Sequence, residues 1–204
     1  MESKGKKEEK KKADSIACGG IGVADEKNIL LDWLKIGILG IILFLFVRAF
    51  LFSSYEVDGN SMETTLANGD KLIVNKVGYE FGSISRFDIL VFHAENENDY
   101  VKRVIGLPGE KIEYKNDQLY VDGKAIEEPF LDNGSGILGQ KGTEDFTLYQ
   151  YTGVERVPDG QLFVMGDNRL NSLDSRHFGY VPVKNVIGKV NVRYWPVEKF
   201  YIEL

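Results

Sequence analysis

Cysteine is nearly missing from this chain. Cys18 is the only thiol among 204 residues, which excludes an intramolecular disulfide. Histidine is as scarce. Two imidazoles and one thiol are too few for a zinc site of the usual type, and no metal or other cofactor is expected. An excess of positive charge is missing as well: the net charge of −6 gives nucleic acid no electrostatic footprint to bind. No repeat is visible, and no long helical pattern follows residue 53. The length allows one sizeable domain and an appendage, hardly two full domains. Glycine is plentiful, and aromatic and β-branched residues abound outside the N-terminus. That is the composition of a strand-rich domain with many tight turns.

Residues 1–28 are Lys/Glu-rich and then Gly-rich, without apolar periodicity, and read as a disordered tail. Ser15-Ile16-Ala17-Cys18 faintly resembles a lipoprotein cleavage box, but no apolar stretch precedes it. From Trp33 to Phe52 the chain is almost wholly apolar. At about 1.5 Å per residue it spans roughly a bilayer core, with Lys35 and Arg48 placed to snorkel near its ends. A buried helix would need a polar face. A cleaved signal peptide would need small residues where Arg48–Tyr55 offers large ones. An uncleaved anchor over residues 29–53 is therefore expected. Lys10, Lys11, Lys12 and Lys27 precede it, and no basic residue occurs between Arg48 and Lys71. By the positive-inside rule the tail faces the cytoplasm of a single-pass membrane protein, and residues 54–204 form an extracytoplasmic domain. Cys18 then stays in the reducing compartment.

That domain reads as strands: Lys71–Val77, Asp88–His93, Tyr100–Leu107, Gln161–Met165 and Val186–Trp195. Lys111–Tyr114 and Gln118–Val121 flank a Lys-Asn-Asp turn and read as a hairpin. Residues 132–145 are Gly-rich and polar, a mobile surface loop.

Three stretches carry possible chemistry. In Tyr55–Leu66 the chain turns through Asp58-Gly59-Asn60 and presents Ser61. A serine just past such a turn can stand clear of the backbone with free N–H groups beside it, as a nucleophile with an oxyanion hole requires. Taken alone it reads first as one loop serine among many. Lys102 lies in a strand whose period of two puts it between Tyr100 and Val104. Burial there would lower its pKa and let it serve as a general base; an edge-strand lysine with its head in water is the plainer reading. Gly166–Gly179 is dense in polar residues. It is either a solvated loop or a cross-linked one that buttresses a site, with Asp174 and Arg176 paired.

Together these stretches resemble the type I signal peptidases, and most of all the short single-anchor form of Gram-positive bacteria. The resemblance rests on Gly59-Asn60-Ser61-Met62, Gly69-Asp70, Arg86-Phe87-Asp88, Tyr100–Gly109, and Gly166-Asp167-Asn168-Arg169 through Asn171-Ser172 and Asp174-Ser175-Arg176. It begins near residue 33 and runs almost to the C-terminus. It implies a mostly β, partly barrel-like catalytic domain behind a single transmembrane helix. It implies a membrane-bound serine endopeptidase that removes signal peptides through a Ser/Lys dyad and an acyl-enzyme. Ser61 matches the nucleophile, Lys102 the general base, Ser172 the hydroxyl that positions the lysine, and Asp174 and Arg176 the supporting ion pair. The oxyanion hole would use the Ser61 N–H and, two residues before it, the backbone of Gly59. The implied partners are secretory preproteins with small residues at the first and third positions before the cut, and the lipid bilayer. Thr64 stands where the family usually has Pro.

Rival readings are weaker. A Ser-His-Asp hydrolase would need His93 or His177, both in surface-like contexts. A tethered domain that binds exported proteins without cutting them has no need of both Ser61 and Lys102. A self-cleaving repressor shares the Ser/Lys pair by resemblance but would lack an anchor and carry a DNA-binding segment.

Overall fold

The computed structural model describes residues 26–63, 65–76, 84–94, 98–131 and 142–202. The tail with Cys18, Thr64, the end of the Lys71–Val77 run and most of the 132–145 loop lie outside the described residues. The chain divides into two units, Met1–Phe46 and Val47–Leu204.

The first unit holds most of a helix, Glu26–Phe50. Its described side chains, Ile29 and residues 31–46, are all exposed. Successive residues lie about 100° apart around a helix, so exposed Leu34, Ile36, Ile38 and Leu39 leave no polar face. Among the described residues no helix is long and apolar enough to cross a membrane.

The second unit is mostly β. Its strands are β1 (Phe52–Glu56), β2 (Lys71–Asn75), β3 (Ile89–His93), β4 (Asp99–Gly106), β5 (Ile112–Lys115), β6 (Gln118–Val121), β7 (Lys124–Ile126), β8 (Phe146–Thr147), β9 (Gln161–Met165), β10 (Val181–Pro182), β11 (Val186–Trp195) and β12 (Tyr201–Ile202). β1 begins inside the stretch read as anchor. The larger sheet runs β1-β2-β11-β3-β4-β9-β10 with β12 on β11, and the smaller runs β7-β6-β5-β8. Both strand orders are open. The partly barrel-like expectation is corrected accordingly: among the described residues no sheet closes into a barrel, and the domain is two sheets. Two short helices, Leu148–Thr152 and Ser175–Phe178, were not expected either.

The unbroken apolar run of β3 fits its position. Ile89 and Val91 enter one core cluster with Val57, Met62, Leu66, Leu72 and Val190. Leu90 and Phe92 enter another with Val104, Leu162, Val164 and Val186. A strand buried on both faces has no polar alternation. The β5–β6 hairpin turns on Asn116 and Asp117, both in the left-handed region at φ 52° and 66°. Asn and Asp tolerate that region, and the twist of such a turn matches the flanking strands.

Candidate active site

Ser61 sits in a turn held by hydrogen bonds and by the buried side chain that follows it. Asp58, Gly59 and Asn60 are exposed, and Gly59 has φ +94°, where a Cβ would be strained. The next residue, Met62, is buried at 1% exposure and pins the turn to the core. Glu63 N–H closes it on Asn60 O at 3.2 Å.

Lys102 reaches this turn from the middle of β4. Register pairs it with Leu90 of β3, and Tyr100 and Val104 on either side belong to the same core cluster. The side chain is 4% exposed. Its amine lies 2.6 Å from Ser61 Oγ, 3.1 Å from Val101 O and 5.4 Å from the Tyr100 ring centroid. Burial lowers the lysine from its ordinary 10.5 to about 8, against the opposing pull of the Asp174 and Asp167 charges. An ammonium loses hydration in such a place and the neutral amine loses little. The expected one-face grouping of Tyr100, Lys102 and Val104 is what the strand presents.

The loop after β9 closes around both residues. Gly166 leaves no room for a side chain: a Cβ there would stand 2.2 Å from Ser172 Oγ and 2.3 Å from Ser61 O. Ser172 is thus brought against the turn that carries Ser61. Its Oγ is buried and makes no hydrogen bond of full geometry, though it stands close enough to Asp174 to help keep that carboxylate ionised. Asp174 is fully buried. Arg176 Nε and Nη2 each donate to it at 2.8 Å, and Gly166 N–H donates at 3.1 Å. Burial alone would raise this carboxyl, but the Arg176 hydrogen bonds and charge outweigh it and hold the pKa below the usual range.

Several contributors were not read from the sequence. Arg103 makes a buried two-point bridge to Asp167, at 2.9 Å from Nε and 2.7 Å from Nη2, and lies over the Phe130 ring at 3.9 Å. Thr65 Oγ1 donates to the same carboxylate at 2.5 Å. Arg169 is buried with Glu128 and also donates to Thr143 Oγ1 at 2.9 Å. The sequence showed charged residues in the loop but nothing of their distant partners.

Gly59 N–H donates to Asn68 Oδ1 at 3.0 Å, so this donor is engaged within the protein. Neither histidine enters the dyad. His93 pairs with Asp99 at 2.6 Å and His177 lies 4.0 Å from Asp174, both more than half exposed. Among the described residues no cluster could hold a metal ion.

A buried lysine amine bonded to a serine hydroxyl, on a mostly β scaffold, has the makings of a serine hydrolase that works without histidine. Comparison with known proteins agrees. The family model for signal peptidase, peptidase S26, matches residues 30–195. The chain is 56% identical over 155 residues to signal peptidase I of Bacillus caldolyticus, covering 76% of this chain and 85% of that protein. It is 45% identical over 160 residues to signal peptidase I V of Bacillus subtilis (strain 168), covering 78% and 95%. It is 41% identical over 181 residues to signal peptidase IB of Staphylococcus aureus (strain Mu50), covering 85% and 94%. The crystal structure of a signal peptidase I from Enterococcus faecalis V583 matches with a TM-score of 0.50 at 40% identity, covering 52% of this chain and 96% of that one. The chain belongs to the signal peptidase family, peptidase S26.

Proposed function

We propose that Ser61 is the nucleophile and Lys102 the general base of a signal peptidase held at a membrane by its N-terminal helix. The chain is a serine peptidase that removes signal peptides from preproteins. The observation that carries the assignment of roles is the 2.6 Å contact between Lys102 Nζ and Ser61 Oγ, made where burial lowers the lysine to about 8.

The neutral amine takes the Ser61 proton as Oγ adds to the scissile carbonyl. The C–N bond then breaks, and the departing amine receives that proton from the lysine, leaving the acyl on Ser61. Water, deprotonated by the same amine, attacks the ester and frees Ser61, which recovers its proton. Ser61 N–H faces the developing oxyanion; Gly59 N–H would join it only by exchanging Asn68 for the substrate. By the family resemblance Ser172, with the Asp174–Arg176 pair behind it, would orient the lysine in the substrate complex, its Oγ making no hydrogen bond of full geometry here.

The anchor is supported by the sequence alone, through the apolar run from Trp33 to Phe52, whose twenty residues would match a hydrocarbon core of about 30 Å at about 1.5 Å each. We assign residues 1–28 to a cytoplasmic tail, 29–53 to the anchor and 54–204 to the extracytoplasmic catalytic domain. The preferred preproteins carry small residues at the first and third positions before the cut. Cleavage of a secretory precursor in liposomes tests the reading: the wild type cuts and Ser61→Ala does not. Cutting by Ser61→Ala would sink it.

A further inference from the structure

Asn168 holds the carbonyls on both sides of Ser61: that of the Asn60–Ser61 peptide through its side chain and that of the Ser61–Met62 peptide through its backbone. The side-chain Nδ2 of Asn168 donates to Asn60 O at 3.0 Å, and its backbone N–H donates to Ser61 O at 3.0 Å. A trans peptide is planar, and its C=O and N–H point in opposite directions. A carbonyl drawn toward Asn168 therefore turns the Ser61 N–H away from the 166–176 loop. Asp58, Gly59 and Asn60 are exposed, so packing acts on this peptide only from the Met62 side. Glu63 N–H also bonds Asn60 O, at a longer 3.2 Å.

We propose that Asn168 is a positioning residue for catalysis: its side-chain amide sets the Asn60–Ser61 peptide plane and so aims the Ser61 N–H at the oxyanion. This rests on Ser61 being the nucleophile. Asn168 touches neither substrate nor reacting atoms in this role, so its loss acts on transition-state stabilisation and leaves substrate binding and the lysine alone. The Glu63 bond survives in a variant, which makes the effect partial. One hydrogen bond of this kind corresponds to about tenfold in rate, well below the ~10²–10³ of deleting an oxyanion donor outright.

The test compares wild type, Asn168→Ala, Asn168→Asp and Ser61→Ala on a precursor peptide, with thermal melts of each. Asn168→Asp keeps shape and the backbone N–H but replaces the side-chain donor by an acceptor that repels Asn60 O. Both Asn168 variants are expected to lose about tenfold in kcat, with KM within about twofold. The pH of half-maximal rate should stay where it is. A substrate-derived peptide aldehyde, which adds Ser61 Oγ to its carbonyl and places a tetrahedral oxygen in the hole, should weaken in parallel with kcat/KM. An Asn168→Asp variant with wild-type kcat overturns the proposal. So does a loss confined to KM, or one that follows a moved pH midpoint. Activity in Ser61→Ala would instead defeat the assignment of the nucleophile. An inactive Ser61→Ala beside fully active Asn168 variants defeats this inference alone.

Discussion

Lys102 Nζ and Ser61 Oγ stand 2.6 Å apart across 41 positions of chain. A serine hydroxyl and an amine at this distance exchange a proton without further movement, and burial has already lowered the lysine to about 8. At pH 7 about a tenth of the lysine is therefore neutral, and at pH 8 about half.

The pH dependence of cleavage follows directly. Activity should rise with pH through about 8, the lysine's value in the fold, because the role proposed for Lys102 requires the neutral amine. Lys102→Arg keeps the charge but stays protonated at any accessible pH. It should lose roughly 10²–10⁴ in kcat, and the ascending limb should vanish with it. Stopped-time cleavage of a precursor across pH 6–10 checks this; near wild-type processing by the arginine variant would remove lysine from the mechanism.

The same burial costs stability. Lys102 has a folded pKa lowered from 10.5 to about 8, so between those values the unfolded chain binds more protons and stability rises with pH. Below about 8 the buried ammonium bears the whole cost, about 3 kcal/mol by linkage. Lys102→Met should therefore stabilise the domain by about 1–3 kcal/mol at pH 7, part of the gain being lost with the Ser61 contact. The advantage should shrink above pH 8 and be gone beyond 10.5. Urea denaturation at pH 7 and pH 10 measures it; equal effects at both pH values would contradict the buried-ammonium account.

Gly166→Ala should damage activity more than folding. The added methyl would meet Ser172 Oγ at 2.2 Å and Ser61 O at 2.3 Å, and one of them must move. Overpacking of this kind costs about 1–3 kcal/mol, while a 1 Å displacement of reacting groups costs about 10² in rate. Kinetics and a thermal melt of one preparation separate the two effects.

Asp174→Asn should destabilise strongly and change the acid limb of unfolding. The carboxylate is fully buried and bonded twice by Arg176, and removing one partner of a buried pair costs about 3–5 kcal/mol. Its folded pKa lies below the ordinary 3.8, so the wild type has this contribution in full above that value. It loses it as pH falls through the lower, folded one. Acid titration followed by tryptophan fluorescence should show the variant losing less stability over that range than the wild type.

A precursor with Phe at the first or third position before its cleavage site should go uncut by steric exclusion, whereas Ala at both is processed. Gel analysis of the two precursors suffices, and efficient cutting of the Phe precursor would overturn the specificity assigned here.

How much of this was legible beforehand depends on the range of the forces involved. β9 and β11 were readable to the residue, because short apolar or alternating runs ending in turn residues are local properties. The β5–β6 hairpin was readable because Asn116 and Asp117 carry their own turn chemistry. β8, β10 and β12 were not. Each has two residues, too few for a period, and each exists because a neighbour offers an edge. Phe87 in the left-handed region at φ 73° was likewise invisible. Such a conformation costs a bulky residue about 1–3 kcal/mol and persists among contacts made elsewhere. Its N–H bonds Val104 O, its carbonyl accepts from Arg103, and its ring meets Phe130.

By itself the sequence determined the strand-rich class, the apolar N-terminal segment and, through a resemblance to a family, Ser61 and Lys102 as the residues to watch. Periodicity, turn residues and motif order are written along the chain and need no partner. Only the tertiary structure decided that Lys102 is buried and touches Ser61, that Arg103 bridges Asp167, and that Asn168 grips the turn carrying Ser61. Each of these joins segments far apart in sequence, and its strength comes from the low-dielectric interior that the assembled sheet creates. A lysine in a strand has no lowered pKa until β3, β4 and the loop after β9 have excluded water from it.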